Sequence, residues 1–141
     1  MVHALLEAHR VLSDDGLLID LRPASVHRRV YHVRDTASRL LGVTRERFDD
    51  ERASDRAVRA VVRSGHFEIK SRTAVPCDRV GSSLEAFRGW LRGFEALQDL
   101  DPHDWLLQRA ERALAAGRTG DRIVVRAPLD LIVMRRRALP P

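Results

Sequence analysis

The sequence predicts an α/β chain with about four helices and about three principal strands, and three observations carry that reading. Apolar residues recur at helical spacing in four stretches: Leu5, Ala8 and Leu12; Ala53, Ala57, Ala60 and Val61; Leu84, Phe87, Leu91 and Phe94; Leu106, Ala110 and Leu114. Between them lie runs of β-type composition over residues 17–21, 67–75 and 122–134. Gly16, Gly65, Pro76, Gly117 and the Asp101-Pro102 pair punctuate the boundaries.

The totals bound the problem further. The 141 residues suit a single α/β domain over 1–141, complete or incomplete, and 44% of them are hydrophobic, which excludes a disordered chain. No apolar run approaches the roughly 20 residues that span a bilayer, and no secretory signal precedes the first helix. Cys77 is the sole cysteine, so no disulfide framework or thiolate metal cage is expected, and a cytoplasmic location is the default. The formal net charge is +5, yet Lys70 is the only lysine among 25 basic residues, which reads as compositional bias. The basic residues are scattered and mostly close to Asp or Glu. With no interleaved aromatics and no recognised motif, they argue against a nucleic-acid partner.

Each element has its own signals. The first helix puts Leu5, Ala8 and Leu12 on one face and ends in the turn Ser13, Asp14, Asp15 and Gly16. The strand over 17–21 is apolar on both faces, as a central strand covered on both sides would be. Residues 22–44 are the least legible: Val26, Val30, Tyr31 and Val33 suggest a short extended piece, and Leu40, Leu41 and Gly42 a turn or hairpin return. Asp49 or Asp50 offers an N-cap for the second helix, and Gly65 ends it. A strand over 67–75 stops at Pro76. Ser82 and Glu85 have capping-box spacing at the head of the third helix. That helix contains Gly89 and Gly93, which predict close packing against a neighbour. Asp101-Pro102 reads as N-cap and N1 of the fourth helix, and Trp90 and Trp105, on or beside apolar stripes, are expected to be buried. The terminal run over 122–134 is interrupted by Pro128, which suggests a bulge or a strand end.

The stretch over 5–23, LLEAHRVLSDDGLLIDLRP, resembles one place in class I S-adenosylmethionine-dependent methyltransferases. It is similar to their fourth helix and fifth strand, with Ser13, Asp14, Asp15 and Gly16 standing in the usual turn. The resemblance implies the C-terminal half of a Rossmann-like fold. Its partial sheet would hold the strands over 17–21, 67–75 and 122–134, the last antiparallel between the other two, with 82–117 as a helical insertion or cover. The family's cofactor is S-adenosylmethionine, and its binding residues lie upstream of the matched stretch. No G-x-G occurs here, so no cofactor-binding residue is assigned, and the chain alone is expected to lack cofactor and activity. The alternative is a non-enzymatic α/β module for dimerisation or protein interaction.

The residues offer few catalytic candidates. The six histidines are dispersed without metal-site spacing, and no G-x-S-x-G elbow accompanies a serine. No catalytic or metal-ligating residue is assigned. Ligands of open α/β sheets sit beyond the carboxyl ends of the strands, which makes Asp20, Arg22, His27 and Tyr31 the substrate-side candidates for a small molecule. A solvated loop is the plainer alternative for each. The apolar strand over 17–21 also predicts partnership, either with a missing N-terminal half or with a second copy, and no membrane partner.

Overall fold

The computed structural model describes residues 1–81 and 83–138. In chain order these form α1 (Val2–Val11), β1 (Leu17–Pro23), β2 (Arg29–Arg34), β3 (Ala37–Val43), α2 (Asp49–Arg63), β4 (Phe67–Val75), β5 (Asp78–Gly81), α3 (Leu84–Gln98), α4 (Asp104–Ala115), β6 (Arg122–Arg126) and β7 (Leu129–Arg136). The chain is α/β with four helices among the described residues, as the periodicity predicts. It divides into two compact units, one of Met1–Ser25, Phe48–Val75 and the residues from Leu129 on, the other of Val26–Arg47 and Pro76–Pro128.

The first unit is a three-stranded sheet in the order β1-β7-β4. β7 runs antiparallel to both neighbours, so β1 and β4 point the same way. The amphipathic faces of α1 and α2 meet one side of this sheet. Leu5, Ala57, Val58 and Val61 pack with Phe67, Ile132 and Met134, and Leu18 and Val62 border them. The turn into β1 depends on two backbone features. Asp15 takes the left-handed conformation (φ 61°). A Cβ on Gly16 would lie 2.8 Å from the Ser13 carbonyl oxygen, so only glycine fits. Gly65 (φ 80°) ends α2 as expected, although the N-cap position is Phe48 and Asp49 and Asp50 lie in the first helical turn. There their charge suits the positive end of the helix.

β1 departs from its expected environment. Alternation along the strand sends Leu18 to the helices and Leu17, Ile19 and Leu21 to the opposite face, where they are 56%, 64% and 56% exposed. Only one side of the sheet is covered.

The second unit is a four-stranded sheet in the order β3-β2-β6-β5, antiparallel throughout. α3 and α4 cover one face, bringing Phe87, Leu91, Leu106 and Ala110 against Val30, Leu41, Ile123 and Val125. Several expectations are corrected here. Leu40, Leu41 and Gly42 belong to β3, the return strand of the β2–β3 hairpin, which is one of the two expected alternatives, and the turn itself lies earlier, with Asp35 left-handed at φ 49°. Pro128, which has no N–H to give a ladder, marks a strand end as expected, but the run over 122–134 is two strands in two different sheets. Asp101 and Pro102 precede α4, whose N-cap position is His103.

Three expectations for α3 and the tryptophans also change. The N-cap is Ser83, whose hydroxyl oxygen accepts from the Ala86 N–H at 3.1 Å, and Ser82 lies outside the described residues. A Cβ at Gly89 or Gly93 would meet nothing within 4 Å, so close packing does not explain them. Trp105 is 41% exposed, lying against Gly42, which has no side chain to hold the ring off. Trp90 is half-buried and stacks between Phe87 and Phe94.

Candidate functional site

The carboxyl end of β1 is where the core of the first unit turns from apolar to charged. Along the helix-facing side, Leu18 lies opposite Met134, Asp20 opposite Ile132, and Arg22 opposite Asp130. α2 adds Asp55 and β4 adds Arg72, giving three carboxylates and two guanidiniums in one network. Arg22 Nη2 donates to Asp55 Oδ1 at 2.7 Å, and its Nε is 3.5 Å from Asp20 Oδ2. Arg72 Nη2 donates to Asp130 Oδ2 at 2.6 Å and to Asp55 Oδ1 at 3.3 Å. The Asp130 carboxylate, the strongest influence, raises the pKa of Arg72 above its ordinary value.

This network is nearly closed. The Arg22 side chain is 10% exposed and that of Asp20 14%. Asp20 Oδ2 and Arg22 Nη1 are buried without a hydrogen-bond partner among the described residues. Such orphans cost free energy, but their burial keeps a ligand from reaching them. The arrangement fixes charges in place and moves no proton.

Of the four expected substrate-side residues, Asp20 and Arg22 come together here. His27 and Tyr31 belong to the second unit. His27 precedes β2 and is exposed. The Tyr31 ring lies beneath the Arg126 guanidinium, 4.9 Å from the centroid, and Arg126 is in turn forked to Asp78. That stack engages the tyrosine face.

Sequence reasoning missed a second constellation. On β2, His32 and Arg34 both face the Asp121 carboxylate from the segment leading into β6. His32 Nε2 is 2.9 Å from Asp121 Oδ2, Arg34 Nη2 donates to the same oxygen at 2.8 Å, and the Arg118 N–H donates at 3.2 Å. The Arg34 hydrogen bonds hold Asp121 well below the usual carboxylate range; desolvation opposes this, and the Arg118 and His32 donors add to it. An ionised carboxylate only accepts, so His32 presents Nε2–H to it. His32 is itself only 8% exposed. The pair lies 89 positions apart in sequence, so no local motif announces it.

A third cluster is architectural. Glu95 on α3 is buried, which would raise its pKa. The His103 backbone N–H and the Arg92 guanidinium more than offset that, and it lies below its ordinary value. Its Oε1 accepts from the backbone and ring of His103, fixing the α3–α4 corner.

The network carboxylates Asp20, Asp55 and Asp130 are all engaged by guanidiniums. Asp14 and Asp15 in the turn before β1 pair with Arg136 and Arg135. Among the described residues no group of three His, Cys, Asp or Glu side chains is placed to hold a metal ion, and no helix is long and apolar enough to cross a membrane. No family model matches the chain, and no curated protein or solved structure is significantly similar to it.

Proposed function

We propose that this chain forms the substrate side of an S-adenosylmethionine-dependent methyltransferase fold and does not hold the cofactor itself. The observation that supports this most is the strand order β1-β7-β4, with the last strand antiparallel between two parallel ones. That is the order implied by the resemblance of residues 5–23. Helices lie on one face of this sheet only, and β1 has a free edge. A doubly wound fold carries helices on both faces and continues such an edge with parallel strands. On this reading the cofactor-binding strands pair with β1, and their helices cover Leu17, Ile19 and Leu21.

Two measurements test the proposal. Calorimetric titration of the 141-residue chain with S-adenosylmethionine should give no saturable heat; a dissociation constant below about 10 μM would place a cofactor site within these residues and overturn the division of labour. Sequencing the DNA upstream of the Met1 codon should reveal an in-frame strand and glycine-rich turn, and a stop codon immediately upstream would count against it. The exposed apolar face of β1 favours a second reading, a non-enzymatic module that pairs β1 with a second copy of itself. That reading predicts a dimer whether or not upstream coding sequence exists.

A further inference from the structure

We infer that the second unit carries a binding site for a small phosphate ester bearing at least two negative charges, on the side where β2 and β3 meet α4. Two clefts lie there and share Arg39. The larger, of about 380 Å³, is lined by His32, Arg34, Ser38 and Arg39, with Ala37, Ala113 and Ala116 keeping its walls small. The other, of about 320 Å³, is lined by Arg39, Arg109, Arg112 and the β3 leucines Leu40 and Leu41. Each volume falls in the range of small-molecule sites rather than of an extended groove.

Positive charge outweighs negative charge at these two clefts. Asp121 is the carboxylate to which the cleft residues hydrogen-bond, Arg34 and His32 already saturate it, and Asp35 adds only a charge interaction with Arg34. Arg109 has committed one N–H to the Leu41 carbonyl at 2.8 Å and lies over the Trp105 ring, which leaves its charge uncompensated. Arg39 and Arg112 form no ion pair among the described residues. Several arginines elsewhere are matched, Arg22 and Arg72 with Asp55, Arg126 with Asp78 and Arg135 with Glu68, whereas the three here line the same pair of clefts. Three uncompensated guanidiniums around concave walls raise the local positive potential, and an anion relieves it.

The donor geometry selects among anions. Guanidinium forks match phosphate oxygens in pairs, and the Ser38 hydroxyl adds a donor of the kind phosphate sites use. Asp121 holds His32 through Nε2, so the ring keeps one orientation and its Nδ1 edge has no partner among the described residues. Arg39, shared by both clefts, suits a ligand with two anionic centres better than a single carboxylate. The inference does not depend on the methyltransferase reading, since it rests on the second unit alone.

The test titrates the 141-residue chain with inorganic pyrophosphate in a calorimeter, alongside Arg39→Gln, Arg112→Gln and, as a control on α3, Arg88→Gln. Saturable binding at one site is expected. It should weaken about tenfold in each cleft variant, the loss of one charge-assisted contact, and stay unchanged in Arg88→Gln. Arg39 and Arg112 are exposed side chains without ion-pair partners, so unaltered thermal melting of both variants will confirm that they fold. Absent binding, or equal binding by the two cleft variants and the parent, overturns the site. Tighter binding of a 12-nucleotide single strand than of pyrophosphate, with the same variant sensitivity and a steep salt dependence, overturns the small-ligand assignment in favour of a polynucleotide. A result against S-adenosylmethionine binding leaves this inference standing, because the probes and residues differ.

Discussion

The two sheets finish their edges differently. In the second sheet the outer strand β5 is only four residues long, and β3 carries an extra residue, Leu41, where its register against β2 shifts. In the first sheet β4 is bulged in the same way, with Lys70 as the extra residue between Ile69 and Ser71. Short edges, bulges and edge lysines are the means by which proteins keep strands from pairing with strangers. β1 has none of them. Its register with β7 runs without interruption from Leu17 to Pro23, and its outward side chains are Leu17, Ile19 and Leu21. One edge of four is left able to extend, and it is the edge that the resemblance would have another strand occupy. The units also differ at one arginine pair: the first encloses Arg22 between Asp20 and Asp55, whereas Arg126 of the second meets Asp78 in the open.

The largest expected effect exploits that second difference. Arg22→Ala removes one member of a buried ion network and leaves Asp20 and Asp55 without their shared cation. Breaking such a pair costs about 3–5 kcal/mol. Arg126→Ala in the second unit breaks a pair whose side chains are 44% and 36% exposed, and the cost there should be below about 1 kcal/mol. Urea melts of the two variants compare them directly. Equal losses would mean that the β1-end network is far better solvated than its burial indicates.

The edge comparison predicts self-association. At tens of micromolar the isolated chain should sediment as a dimer or larger species through β1, with two copies meeting antiparallel about a two-fold axis. Ile19→Lys places a charge on the joint face, and dissociation should strengthen by tenfold or more, about 1.4 kcal/mol. Lys70→Ile on the bulged β4 edge should leave the assembly unchanged. A wild-type monomer at high micromolar concentration in sedimentation analysis would show that β1 does not pair.

The next effect separates the units by pH. Asp121 titrates lower in the folded protein than in the unfolded chain, so its contribution to stability is present above the unfolded value of about 4 and is lost as pH falls below it. Asp121→Asn should therefore lose less stability than the parent between about pH 5 and pH 3. Thermal melts across that window read the difference, and parallel curves would dismiss the carboxylate as the origin.

Much of this architecture was legible in the sequence, and the gaps have physical causes. The helices were readable because Leu84, Phe87, Leu91 and Phe94 repeat at helical spacing and their burial follows that pattern. β1 was readable because Gly16 releases the apolar run Leu17-Leu18-Ile19, with Leu21 beyond Asp20. The second sheet was not. In β2 the order Arg-Val-Tyr-His-Val-Arg mixes polar and apolar residues on both faces, and β5 offers only Val80 as an apolar residue. Its pairing with β6 joins Asp78 to Arg126 across α3 and α4, a contact that local patterns do not encode. At the candidate site Asp20 and Arg22 could be named because they lie on one strand. Asp55, Arg72 and Asp130 come from three other segments, and only the register of β1, β7 and β4 brings them in.

The smallest effect concerns α3, where the sequence expected crowding and the structure has open space. Gly89 and Gly93 occupy exposed positions in the helix interior, and neither has positive φ. Glycine there costs helix stability through backbone freedom in the unfolded chain, and an alanine side chain would touch nothing within 4 Å. Gly89→Ala and Gly93→Ala should each stabilise the protein by about 0.4–1 kcal/mol, and the two gains should add because neither residue shares a partner with the other. Chemical denaturation of both single variants and the double variant measures this. A loss of stability in either would mean that a partner surface packs on this face of α3 in solution, against the two glycines.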